Sequence, residues 1–168
     1  EAINRASVII DCTSKGIGYK NKIEFYENYT QNVRGFIAQG SEDKFGKKYA
    51  QGINDDALNS RDKFIQIVSC NTHNIACITK TIALDNDPYN LIEGKYVCIR
   101  RANDISQANE FIPSPRISKH SSDKYGSHHA KDAASLFSTM GQDLNLFSSS
   151  MKVNSQYMHV LWFNLKLK

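Results

Sequence analysis

The chain has 168 residues, of which 40% are hydrophobic and 23% charged, and a formal net charge of +4. This composition is globular rather than disordered, and the length suits one domain or one domain plus part of another. The positive excess is mild, no Lys/Arg run is long enough to form a nucleic-acid stripe, and no apolar stretch approaches the ~20 residues of a membrane span.

No secretory pattern is legible at the N-terminal end. The four cysteines, Cys12, Cys70, Cys77 and Cys98, form no CxxC pair and no metal-ligand spacing. Reduced thiols, no metal centre and a cytoplasmic protein are expected. The chain opens almost directly on one strand pattern and closes on another, so it reads as a piece of a longer protein.

Ser7 to Cys12 is apolar and β-branched and predicts a parallel strand buried on both faces. The loop Thr13-Ser14-Lys15-Gly16-Ile17-Gly18 follows. Tyr19 to Tyr29 predicts a helix with Ile23 and Tyr26 inward, and Val33 to Ala38 the next strand. Strand, helix and strand in about thirty residues make a βαβ unit. The Gly16-Ile17-Gly18 turn follows a strand and opens a helix, which is the context of a dinucleotide fingerprint, but Asn21 stands at the third glycine position. Two readings stand: a chain reversal, or backbone N–H groups near a phosphate or ribose.

Gln39 to Lys44 predicts a polar loop, and Asn54 to Asn59 a short helix capped by Asn54 or Asp55. Phe64 to Ser69 predicts a buried strand. A helical period follows over 71–83, with Ile75, Ile78, Thr79 and Ile82 on one side, and Asp85-Asn86-Asp87-Pro88 ends it. Cys70 therefore stands where a strand hands over to a helix. The positive end of the helix dipole favours a thiolate, which attacks electrophilic carbon. The alternative is a buried apolar cysteine.

Gly94 introduces a strand ending in Arg100 and Arg101, which alternation sends to opposite faces. The stretch 103–125 predicts a long irregular connection. Ser127-His128-His129-Ala130-Lys131-Asp132 opens a helix to Met140 and offers either an anion site or two surface histidines. Residues 141–150 predict a polar loop, and Met151 to Ser155 and Tyr157 to Leu167 two strands. His159 falls within the last of these, where a core histidine with one satisfied nitrogen is the ordinary reading.

These segments, taken in this order, resemble the archaeal-type (type II) glyceraldehyde-3-phosphate dehydrogenases. Val68-Ser69-Cys70-Asn71-Thr72 is similar to that family's active-site segment, and Asp11-Cys12-Thr13 through Gly16-Ile17-Gly18 to its turn beside the nicotinamide. Ala38-Gln39-Gly40-Ser41-Glu42 is similar to its Gln-Gly-Gly-Glu loop. Arg100-Arg101 and Ser127 to Asp132 are similar to its substrate-side segments, and Val153 to His159 to the strand carrying its catalytic histidine. The resemblance implies an α/β chain, the end of a Rossmann dinucleotide-binding sheet (1–69) followed by an incomplete mixed-sheet catalytic domain (70–168).

It further implies Cys70 and His159 as catalytic residues, with Ser69, Asn71, Thr72, Arg100, Arg101, His128 and His129 on the substrate and its phosphates. Thr13, Gly16, Gly18, Gln39 and Gly40 would lie on NAD or NADP. The implied partners are a phosphorylated aldehyde and inorganic phosphate, with no nucleic acid and no membrane, in a homotetramer at full length. Residues 119–126 and 144–150 look inserted against the family pattern, and His73 and Ser41 stand where it has threonine and glycine. A related Cys-dependent reductase such as an aspartate-semialdehyde dehydrogenase, a Cys/His hydrolase and a non-catalytic fragment are the rival readings.

Overall fold

A computed structural model describes residues 2–39, 42–101, 115–154 and 158–168. The chain divides into two compact units, Glu1–Cys70 and Asn71–Lys168.

The first unit is a parallel sheet. Helix α1 (Ala2–Arg5) precedes β1 (Val8–Asp11), α2 (Ile17–Glu24), a 3-10 turn at Tyr26–Tyr29, β2 (Gly35–Ala38), β3 (Lys47–Tyr49) and β4 (Phe64–Ile67). The strands lie in the order β1-β2-β4-β3, all parallel. Tyr26, Phe36 and Phe45, with Val33 and Ala38, make the core, and the partly buried Phe64 packs against it. Tyr26 stacks on Phe36 at 5.1 Å and Phe36 on Phe64 at 4.9 Å, while Phe45 meets Phe64 edge-on at 5.6 Å. Burying rings of this size contributes about 2–3 kcal/mol each, so this cluster is the main support of a small sheet.

Several local expectations need correction here. β1 is an edge strand, and Val8 and Ile10 are 48% and 63% exposed rather than buried. Val8 and Ile10 alternate onto the same face of β1, and their exposure shows that this face is left open. The helix stops at Glu24, and the tighter 3-10 turn that follows aims Tyr26 inward and leaves Ile23 exposed. Asn54 stands at the start of a short 3-10 turn without capping it. Its carboxamide instead accepts from Ala50 N and donates to Lys48 O, bracing β3, which sequence reading missed.

The second unit is a mixed sheet. It contains most of α3 (Cys70–Ile78), a π-helical segment at Thr79–Leu84, β5 (Leu91–Arg101), β6 (Arg116–Ile117), α4 (His128–Ser138), β7 (Leu146–Val153) and β8 (Val160–Leu167). The order is β6-β7-β5-β8, with β5 and β7 parallel and both outer strands antiparallel to their neighbours. α4 places Ala130, Ala133, Ala134 and Phe137 inward, a spacing of three and four that puts them on one stripe. Tyr96 is buried on β5, and its hydroxyl lies 2.6 Å from Thr79 Oγ1.

Residues 146–150 are not a loop. Leu146, Ser148 and Ser150 alternate inward on β7, beside Gly94, Tyr96 and Cys98 of β5. The run of serines hid the strand because its inward positions are polar. Gly94 lies within β5 rather than before it, where a Cβ would stand 3.0 Å from Leu146 Cδ2. Ile82 is exposed, whereas Ala83 and Leu84 are buried. The π turn is wider than an α turn and advances less per residue, which carries Ile82 away from the face of Ile75 and Thr79.

Candidate functional site

The first unit gathers its candidates at the carboxyl edge of the sheet. Asp11 of β1 pairs with Ala38 of β2, and Ala38 with Gln66 of β4. Thr13, Gln39 and Ser69-Cys70 therefore follow the carboxyl ends of three adjacent parallel strands. That edge is where open α/β sheets present their ligand-binding loops. Cys70 is exposed as the first residue of α3, three residues beyond the end of β4. Gly40 lies outside the described residues.

Asp11 organises this edge. It is 5% exposed and accepts from Thr13 N (2.9 Å), Thr13 Oγ1, Asn21 Nδ2 (2.9 Å) and the Tyr26 hydroxyl (2.8 Å). Burial opposes its charge, but the donors from Asn21, Thr13 and Tyr26 outweigh burial and hold the carboxyl below its usual range. Burial first, then the bond to Asp11, push the Tyr26 phenol up to about 12. Gln39 N reaches the Asp11 carbonyl at 3.3 Å, so the loop after β2 is tied to the same residue.

The glycine turn is already filled. Gly16 holds a φ of 87°, which favours glycine, and its N–H donates to both Glu42 oxygens at 3.1 and 3.0 Å. Glu42 is 6% exposed and also accepts from Asp43 N at 3.0 Å. A phosphate approaching this helix start would meet the Glu42 carboxylate, so of a phosphate and a ribose only the uncharged ribose is compatible with the turn.

In the second unit, β5 and β7 end together at Arg101 and Val153, and the antiparallel β8 starts beside them. His159 stands immediately before β8 rather than within it, and its Nδ1 accepts from Arg101 N at 3.2 Å. The two arginines diverge. Arg100 pairs with Lys152 on the face that carries Tyr96 and Cys98, and Arg101 falls on the other face. The buried Arg100 Nε has no hydrogen-bond partner among the described residues.

His128 and His129 open α4 with ring centroids 3.9 Å apart, and His129 is 2% exposed. They do not sit at an open helix start. Ala130 N donates to Ser148 Oγ at 3.0 Å, and the Ser127 and Ser148 hydroxyls are 2.6 Å apart. Asn71 and Thr72, expected on the substrate, are 2% and 0% exposed on α3. Among the described residues, Asn71 Oδ1 accepts no hydrogen bond, and no three His, Cys, Asp or Glu side chains gather as a metal site. No described helix is long and apolar enough to cross a membrane.

No protein-family model matches the chain. Curated relatives do. The chain is 31% identical over 175 residues to glyceraldehyde-3-phosphate dehydrogenase 2 of Methanosarcina acetivorans, covering 100% of this chain and 47% of that protein. The chain is similar to archaeal glyceraldehyde-3-phosphate dehydrogenases. The enzyme of that name from Methanobacterium bryantii is 28% identical over 166 residues, 95% of this chain and 44% of that protein. The glyceraldehyde-3-phosphate dehydrogenase of Saccharolobus islandicus is 26% identical over 178 residues, 100% and 46%. The chain thus spans just under half the length of the dehydrogenases it matches.

Asp11, Asn21, Tyr26, Glu42 and Gln66 were missed as contributors to this edge. The signal for Glu42 was present in Gln39-Gly40-Ser41-Glu42, where an acid closes a small-residue loop. Asp11 has a local partner in Thr13, but its bonds from Asn21 and Tyr26, and that of Gln66 to Glu42, span 10 to 24 residues and leave no local pattern.

Proposed function

We propose that this chain is the middle portion of a type II phosphorylating glyceraldehyde-3-phosphate dehydrogenase, with Cys70 as nucleophile. The supporting observation is the exposed sulfur at the start of α3, beside the loops that follow β1 and β2 at one sheet edge. In this reading the Cys70 sulfur adds to the aldehyde carbon, and the thiol proton passes to His159. Loss of hydride from that carbon leaves a thioester on Cys70. NAD or NADP, when bound, supplies the hydride acceptor. Inorganic phosphate then attacks the thioester carbonyl, the C–S bond breaks, and an acyl phosphate leaves with the thiolate restored.

The carboxyl-edge turn fits the nicotinamide-ribose end of the cofactor, which carries no negative charge, near Thr13, Gly16, Gly18 and Gln39. It offers no cradle for its pyrophosphate, because Glu42 occupies Gly16 N–H. Arg100, with a buried Nε and its place on the α4 face, holds the phosphate of the aldehyde as a two-pronged donor. His128 and His129 assist from the start of α4. The His159 ring must exchange its bond from Arg101 N–H before Nε2 can act as base. A neutral imidazole accepting at Nδ1 carries its proton on Nε2. Giving up one such bond costs about 1 kcal/mol, small against the ~10²–10⁴-fold gain from a positioned base.

The test is Cys70→Ser in the complete enzyme, assayed for NAD(P)H formation from glyceraldehyde 3-phosphate and phosphate. A fall on the order of a thousandfold or more is expected. Turnover at the wild-type rate removes Cys70 from the chemistry.

A further inference from the structure

We propose that Glu42 is a positioning residue that fixes the Thr13–Gly18 turn against the strand leading to the nucleophile. The inference rests on the dehydrogenase reading above. One side of Glu42 grips the turn. Its carboxylate takes Gly16 N–H with both oxygens, at 3.1 and 3.0 Å, and its Oε2 lies 2.8 Å from where a Cβ on Gly18 would stand. Only glycine at position 18 leaves that oxygen its place.

The other side of Glu42 grips β4. Its main-chain carbonyl accepts from Gln66 Nε2, and Gln66 is 2% exposed in the middle of the sheet, four residues before Cys70. The Glu42 carboxylate is itself steadied by Asp43 N at 3.0 Å. One residue thus joins three elements through buried and part-buried bonds: the helix-opening turn, its own loop after β2, and the strand that leads to Ser69-Cys70. A solvated acid on a polar loop would do none of this, and burying a carboxylate is unfavourable unless its oxygens are satisfied. Here they are satisfied by Gly16 N–H, which opens the turn, and by Asp43 N–H.

The consequence is a division of labour. Glu42 touches neither reacting carbon nor sulfur, so its loss acts on how well the turn meets the nicotinamide end and leaves the aldehyde site alone. Two variants of the full-length protein separate geometry from charge. Glu42→Gln keeps the shape and removes the charge. Gly18→Ala keeps the charge and pushes the carboxylate off Gly16, while alanine favours the helix that glycine weakens.

Calorimetry with NADP and with NAD, thermal melting, and the KM for glyceraldehyde 3-phosphate are the readouts. Both variants are expected to weaken cofactor binding about tenfold, the scale of one charge-assisted hydrogen bond. The aldehyde KM stays within about twofold in both. Cofactor affinity that is unchanged in both variants, a lowered melting temperature as the sole effect, or equal losses for cofactor and aldehyde would each overturn the assignment. A wild-type protein that binds neither NADP nor NAD would overturn the dehydrogenase reading, and this one with it.

Discussion

At the scale of single residues, the two neighbouring arginines divide sharply. Arg100 shares its face with Tyr96 and Cys98, while Arg101 uses its main-chain N–H on His159. Arg100→Ala should therefore raise the KM for the phosphorylated aldehyde by about 10–100-fold, the value of a charged hydrogen-bond pair. Arg101→Ala should change it less than about threefold. Steady-state kinetics on both variants checks this, and equal effects would contradict the assignment of faces. The Asp11–Tyr26 pair gives a pH signature. Asp11 is held below its usual 3.8, so its contribution to stability is present above that value and fades as pH falls through the lower folded value. Tyr26 is raised from 10.0 to about 12, so its contribution is present below pH 10 and is lost between pH 10 and 12. Tyr26→Phe should cost about 1–2 kcal/mol near neutrality and flatten the alkaline limb in urea titrations taken at several pH values. An alkaline limb unchanged in Tyr26→Phe would remove Tyr26 as its source.

At the scale of elements, the helix starts that sequence suggested for anions are both capped from within. Glu42 closes the start of α2, and Ser148 closes that of α4. The capping partners come from 26 and 18 residues away, so no local window of sequence shows which helix start each one closes. By contrast, the β4–Cys70–α3 junction was legible, because a β-branched run ending in Ser-Cys-Asn-Thr changes period at one point. β7 was not, because Ser148 and Ser150 take inward positions that apolar residues normally hold. Gly126 shows how tightly that strand is overlain. It holds a φ of 67°, and a Cβ there would lie 2.3 Å from Ser148 O. Gly126→Ala should destabilise by roughly 2 kcal/mol or more, since the left-handed cost alone is about 1–2 kcal/mol. Urea unfolding gives the measurement, and a loss below about 0.5 kcal/mol would mean that Gly126 does not lie against Ser148 of β7.

At the scale of the molecule, the parallel first sheet and mixed second sheet follow the order in which strand patterns occur along the sequence. Burial was harder to read, since whether an apolar strand is covered depends on what lies beside it. Val8, Ile10, Val160 and Trp162 look like core residues by composition, yet they are 48%, 63%, 57% and 53% exposed. The folded 168-residue chain should therefore bind the dye ANS before any unfolding, as exposed apolar patches do. A dye-silent native state would show these side chains to be covered. Among the described residues, β8 pairs with β5 along one side only. Its sequence, Val-Leu-Trp-Phe-Asn-Leu-Lys-Leu, is proline-free, with a lone lysine near its end. A row of backbone donors and acceptors beside such side chains is a template on which further extended chain can register. If that margin is left uncovered, it would favour self-templated growth into fibres.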